Sequence, residues 1–301
     1  MRYFTALFTG IILAFFAGNY TYAQNFENNI EQRIEDGVIT AEDLLEAEEI
    51  YGGDEELIIL VKPKLYKAYI SPSLTYTDNA FLNGGKDDDL IGTLKTGLEF
   101  KTVIANRFDA FANFSADVTE YAENETLNYS TLQSNFGISY THKNLIMTLG
   151  YTSGIVYEDF ISDEIISFHR GITSFVRPYR IANNWLFAPY IKGQIRYTNP
   201  SEFSYYQGDI GSNLYYRVQQ GLNLRFGVRG SYKNYFDYFE SFTTQEREDN
   251  SISVSSGFDW KLRDGISFKG DIAFTHNNST LNANDYDAFT ATPSLKLSIR
   301  F

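Results

Sequence analysis

The final thirteen residues of this 301-residue chain alternate without a break. Phe289, Ala291, Pro293, Leu295, Leu297, Ile299 and Phe301 fall on one face, and Thr290, Thr292, Ser294, Lys296, Ser298 and Arg300 on the other. A period of two marks a β-strand with one apolar and one wet side. About ten residues tilted near 45° also cross the hydrocarbon of a bilayer, so the length suits a strand that faces lipid.

The alternation ends on an aromatic residue at the carboxyl terminus. Leu295, Leu297, Ile299 and Phe301 resemble the signal that the insertion machinery reads on bacterial outer-membrane barrels, which implies that machinery and outer-membrane lipid as partners. At the other end, Arg2, the apolar stretch 4–17 and the residues Thr21, Tyr22 and Ala23 before Gln24 read as a cleaved secretory signal, residues 1–23. Beyond it no run approaches the roughly 18 apolar residues of a membrane-spanning helix. A mature chain of this kind that crosses a membrane must close a barrel, because only closure pairs every backbone amide inside lipid. The chain has no cysteine, which excludes a disulfide framework, a zinc-thiolate site and a thiol nucleophile.

The net charge of -13 belongs to one segment. Twelve acidic residues lie between residues 24 and 56, against Arg33 alone, whereas residues 57–301 are close to neutral. Thr40, followed by Glu42 and Asp43, suits a helix N-cap, with Leu44, Leu45 and Ile50 as a modest apolar stripe and Gly52 and Gly53 as the stop. Residues 24–64 are therefore expected to be an acidic, partly helical periplasmic leader. Residues 65–301 are expected to be the barrel. The leader is a solvated segment, a plug for a basic lumen, or the docking element for a periplasmic or envelope protein.

From residue 65 onward, tight turns near residues 104–106, 142–144, 181–184, 219–221 and 263–265 alternate with longer polar stretches at 79–89, 122–128, 158–164, 199–206, 237–249 and 277–285. Short turns on one side and long loops on the other are the pattern of an outer-membrane barrel with both termini in the periplasm. The expected fold is all-β, a transmembrane antiparallel up-and-down barrel of about twelve strands. The alternation turns Leu94, Leu98, Phe114, Phe136, Leu149, Leu224, Phe226, Val228, Ile272 and Phe274 toward lipid. Trp185 and Trp260 fall beside tight turns and suit an inner interfacial belt. Pro72, Pro178, Pro189 and Pro293 read as bulges or strand ends, and residues 165–176 alternate poorly around Arg170.

The inward positions carry many bases, among them Arg196, Arg217, Arg225, Arg229, Lys233 and Lys269. Glu99, Asp109, Asp117, Asp209, Asp259 and Asp271 share that lining. Two readings follow: a ladder of ion pairs that fills a narrow lumen, or a positively biased pore for anionic solutes. Arg225, Arg229 and Lys233 share one face of one strand and form the centre of the second reading.

The stretch YISPSLTYTDNAFL at 69–82, an acidic loop, and the strand beginning DLIGTLKTGLEF at 89–100 resemble the opening hairpin of the beta-barrel porin-2 family, with Asp78 and Asn79 as its DN pair. The resemblance implies a bacterial outer-membrane protein, in some cases associated with surface polysaccharide systems, and brings no catalytic or binding role. Enzymatic readings are weaker. His276 with Asn277, Asn278 and Ser279 has the residue types of a hydrolase, but adjacency is not triad geometry. Asp87, Asp88 and Asp89 lack calcium-loop spacing and are expected to keep the rim soluble. The acidic balance speaks against nucleic acid. The function expected is a porin-like outer-membrane channel for small anionic or saccharide solutes, without cofactor or metal. A blocked structural or assembly barrel is the alternative, and an outer-membrane hydrolase a distant third.

Overall fold

Alternation along successive hairpins builds a single closed antiparallel sheet. The computed structural model describes residues 65–84, 87–105, 107–158, 163–236 and 246–301. The expected signal segment and acidic leader lie outside the described residues. The strands are β1 (Leu65–Thr77), β2 (Asp89–Ala105), β3 (Phe108–Tyr121), β4 (Tyr129–His142), β5 (Leu145–Glu158), β6 (Glu164–Val176), β7 (Tyr179–Ala182), β8 (Trp185–Asn199), β9 (Tyr205–Gln219), β10 (Leu222–Tyr235), β11 (Glu248–Arg263), β12 (Ile266–Ser279) and β13 (Tyr286–Arg300). Each long strand pairs with its sequence neighbours, β1 pairs with β13, and β6 pairs with β8.

β6 and β7 are one barrel strand broken at Arg177 and Pro178, so the wall has the expected twelve strands. Pro189 of β8 lies opposite the break, where its carbonyl accepts from the Arg177 amide at 3.1 Å. The two prolines thus share one interruption. Pro72 and Pro293 are neither bulges nor ends. Both sit within β1 and β13, and the β1 to β13 ladder lapses at Ser71, Pro72, Leu74 and Thr75 while β1 keeps its full ladder with β2.

Gly221 and Gly265 adopt φ of +79° in two of the tight turns, a conformation that L-residues rarely adopt and that lets the strands reverse in two residues. These turns and the chain end lie on one rim, and the longer loops on the other. Among the described residues no helix is long and apolar enough to cross a membrane. Leu98, Leu149, Ile191, Ile210, Val228 and Ile272 are each about half exposed or more on the outer face, which only lipid would cover. Phe301 closes the sheet: its amide donates to the Tyr66 carbonyl at 3.1 Å and its ring stacks on Tyr66. Leu295, Leu297 and Ile299 share its outward face. Trp185 packs on Tyr216 at 4.5 Å between ring centroids, and Trp260 is 41% exposed; both face outward at the tight-turn rim.

Candidate functional site

The period of two turns every second side chain into the lumen, and the size of those side chains decides what remains of it. Midway along β1, β11 and β13 the inward residues are short. Ser71, Ser73, Ser251, Ser253, Ser255, Thr290, Thr292 and Ser294 are all partly exposed. Hydroxyl pairs tie this strip to the wall, with Thr75 to Thr292 at 3.0 Å and Ser253 to Thr275 at 2.9 Å. The opposite wall is closed to water: Thr152, Val156, Ile166, Phe168, Ile172, Val176, Leu186 and Ala188 face inward and are each at most 6% exposed.

Large rings lie flat instead of projecting. Tyr69 covers Gly97, Phe111 covers Gly137, Phe168 covers Gly154 and Tyr190 covers Gly211; at each glycine a Cβ would stand less than 3.0 Å from the ring. This pairing of a ring with a cross-strand glycine is a familiar device of barrel walls. Its effect here is to keep the bore clear of bulky groups.

Toward the tight-turn rim the lumen charges are paired. Glu99 lies between Lys296 at 2.9 Å and Lys67 at 3.5 Å. Lys269 meets Asp259 at 3.1 Å. Arg225 reaches Asp271 two strands away, across the bare backbone of Gly257, where a Cβ would collide with the carboxylate. Toward the loop rim, cations stack on aromatic faces instead. Arg196 lies 4.8 Å from the Phe168 ring and 5.8 Å from Tyr205, Lys233 is 4.7 Å from Tyr205, and Arg247 is 4.3 Å from Tyr235. Arg247 also binds Asp249 at 2.7 Å, and Lys192 meets Asp209 at 3.6 Å.

The structure therefore places Arg196, Arg217, Arg225, Arg229, Lys233 and Lys269 on the inner face, but not in one group. Arg225 and Lys269 belong to the paired belt, and Arg196 and Lys233 to the aromatic row. Sequence reasoning missed Arg170, whose inward neighbours Phe168 and Ile172 are apolar while Ser167, His169 and Thr173 face out, so the usual polarity of the alternation is inverted there. It also passed over the hydroxyl strip, although the S-x-S-x-S-x-G run at 251–257 spells it out.

The loop rim carries an apolar cluster of Ala80, Ile91, Tyr121, Leu127, Tyr129, Val156, Ile166, Phe168 and Phe203. Asp89 corrects the expectation of a solvated rim acid. It is 4% exposed, and its carboxylate accepts from the amides of Leu90, Ala122, Glu123 and Asn124 and from the Asn124 side chain, at 2.7 to 3.1 Å. This locks the first loop to the second. Asp78 and Asn79 do the same toward β13: Asp78 accepts from the Phe289 amide at 2.6 Å, and Asn79 donates to the Asn83 and Asp287 carbonyls. The hydrolase residues do not converge. His276 points outward to Asp287 at 2.8 Å, while Asn277 and Ser279 are buried on the inner face.

A closed sheet, apolar outside and polar within, defines a transmembrane β-barrel of the outer-membrane class. No protein-family model matches the chain, and no curated protein matches it in sequence. Solved structures are similar in architecture. The KdgM porin in complex with disordered oligogalacturonate aligns at a TM-score of 0.44 and 11% identity, covering 77% of this chain and 99% of the porin. An outer-membrane channel from Pseudomonas putida F1 aligns at 0.46 and 11%, covering 83% and 100%. LpxR from Salmonella typhimurium aligns at 0.46 and 10%, covering 75% and 99%.

Proposed function

We propose that the barrel is a porin-like channel of the outer membrane that passes small anionic solutes, acidic saccharides among them, without enzymatic chemistry. The observation that supports this reading is the water-accessible strip of short hydroxyl side chains on β1, β11 and β13, which faces a lumen lined with Arg217, Arg225, Arg229 and Lys233. Short side chains keep the bore passable, and surplus bases in a low-dielectric channel concentrate anions. The hydroxyls and flat rings suit a sugar, which offers both polar edges and apolar faces. The resemblance to the beta-barrel porin-2 family in the first hairpin agrees with this reading. Planar-bilayer recording of the folded protein under a potassium chloride gradient tests it. Discrete steps with a reversal potential of the anion-selective sign are expected, and cation-selective steps sink the proposal.

The apolar cluster at the loop rim favours a second reading, a barrel blocked on the outside that serves in assembly of the envelope. A folded protein that never conducts, under any voltage or salt, would favour it.

A further inference from the structure

The exposed charges of the barrel are sorted by rim. Among the described residues every exposed lysine or arginine lies at the tight-turn rim: Arg107, Lys143, Arg177, Arg180, Lys261, Arg263 and Arg300. Every exposed aspartate or glutamate among them except Asp264 lies toward the loop rim, Asp87, Glu123, Glu125, Asp163 and Glu246 included. The cations occupy four of the five tight turns and the chain end, so they ring the barrel instead of forming a patch on one side. Apolar side chains stand between them: Ile104, Ile181, Leu262, Ile299 and Phe301 are 48 to 74% exposed.

The contacts within the rim leave its charge positive. Arg107 lies 3.0 Å from a ring nitrogen of His142 and Arg177 5.2 Å from the Tyr179 ring, and neither partner is an acid. Lys261 meets Asp264 at 3.1 Å, an aspartate whose side chain is 99% exposed. A ring of cations interleaved with exposed apolar groups matches the boundary of a leaflet, where apolar side chains enter the acyl region and long basic ones reach the headgroup phosphates. An acidic protein docked on one side would leave most of the ring uncovered, whereas an annulus of lipid covers all of it. We propose that the tight-turn rim binds the headgroups of anionic phospholipid and gathers such lipid around that end of the barrel. The acidic loop rim repels the same headgroups, so the preference belongs to one end. The binding does not rest on the channel reading above.

The two tryptophans of the chain, Trp185 and Trp260, both lie at this rim, so intrinsic fluorescence reports on it alone. The test places the folded full chain in phosphatidylcholine bilayers that carry the same small fraction of brominated phosphatidylglycerol or of brominated phosphatidylcholine. At low salt the phosphatidylglycerol should quench about two-fold more strongly, and the difference should vanish in 1 M sodium chloride, where the Debye length falls to about 3 Å. The variant R177Q/K261Q/R263Q should lose the preference, and R177K/R263K should keep it. Heat-modifiable migration confirms folding of each variant. Equal quenching by the two lipids at low salt overturns the inference, as does a preference that the neutralised variant retains. Loss of the preference in inorganic phosphate, but not in sodium chloride of equal ionic strength, would mean a site for the free ion and overturns it as well.

Discussion

Two walls of the same lumen obey the same alternation and come out differently. The wall formed by β11, β13 and β1 points serine, threonine and glycine inward and stays wet. The wall formed by β5, β6 and β8 points isoleucine, valine, phenylalanine and arginine inward and is closed to water. Strand number sets the circumference of a barrel, but the volume of the inward side chains sets how much of the bore survives. This barrel divides the two tasks around its circumference, packing on one side and passage on the other.

Identical substitutions on the two walls should therefore fail in different ways. Thr152, wholly buried on β5 and bonded to Asn135, has no room for an indole, so Thr152→Trp should cost about 3 kcal/mol by overpacking. Its readout is a lower midpoint of guanidinium unfolding in detergent micelles. Ser255→Trp on β11 should leave that midpoint within about 0.5 kcal/mol, as changes away from packed features do, and cut single-channel conductance several-fold. Equal destabilisation by both would erase the distinction between the walls. The loop lock comes next. Asp89→Ala removes an acceptor from the amides of Leu90, Glu123 and Asn124 and from the Asn124 side chain, while the Ala122 amide keeps the Leu90 carbonyl, and about 2 to 3 kcal/mol of stability should go with them. Faster proteolysis at 122–128 than in the parent is the accompanying sign, and an unchanged cleavage pattern would remove Asp89 from that role.

What could be read from the sequence follows this same division. Strands whose outward residues are apolar and inward residues polar, such as β3, β10 and β13, announce their register, and the twelve-strand plan and the two rims follow from them. β6 does not announce it. With Ile166, Phe168 and Ile172 inside and Ser167, His169 and Thr173 outside, its pattern is the reverse of the barrel rule, because its inner face is buried instead of hydrated. The six expected lumen bases do face inward, since parity alone decides that. Their partners were not legible: Arg225 meets Asp271 across an intervening strand only because position 257 lacks a side chain, a relation that sequence spacing does not carry. The prolines of β1 and β13 were misjudged for a related reason. Their lost donors are tolerated at a seam whose other ladder, from β1 to β2, stays whole.

Smaller effects should sharpen the contrast further. Gly154→Val would drive the Phe168 ring off the wall and into the row where Arg196 stacks on it; overpacking of this kind costs about 1 to 2 kcal/mol. A double variant with Phe168→Ala should not recover the parent, because it removes the clash together with the stacked face. A fully restored midpoint would mean that the ring contributes nothing to holding Arg196.

The mildest change is Asp271→Asn. The carboxylate and its partner Arg225 are each about a third exposed, so solvent screens the pair and less than about 1 kcal/mol of stability should be lost. Selectivity should move more than stability. Removing one negative charge from the paired belt leaves Arg225 only Asp259, shared with Lys269, as a nearby acid at the edge of the hydroxyl strip, and the lumen's balance shifts toward cationic lining. The reversal potential under a salt gradient should move in the anion-selective direction, by more at low ionic strength than at high, since the Debye length shrinks from about 30 Å at 0.01 M to about 3 Å at 1 M. Lys261→Ala, which breaks the exposed contact with Asp264 at the tight-turn rim, is the matched control and should move neither. If Asp271→Asn leaves the reversal potential where it was, permeating ions do not pass the Arg225 belt, and the path must be sought away from the strip.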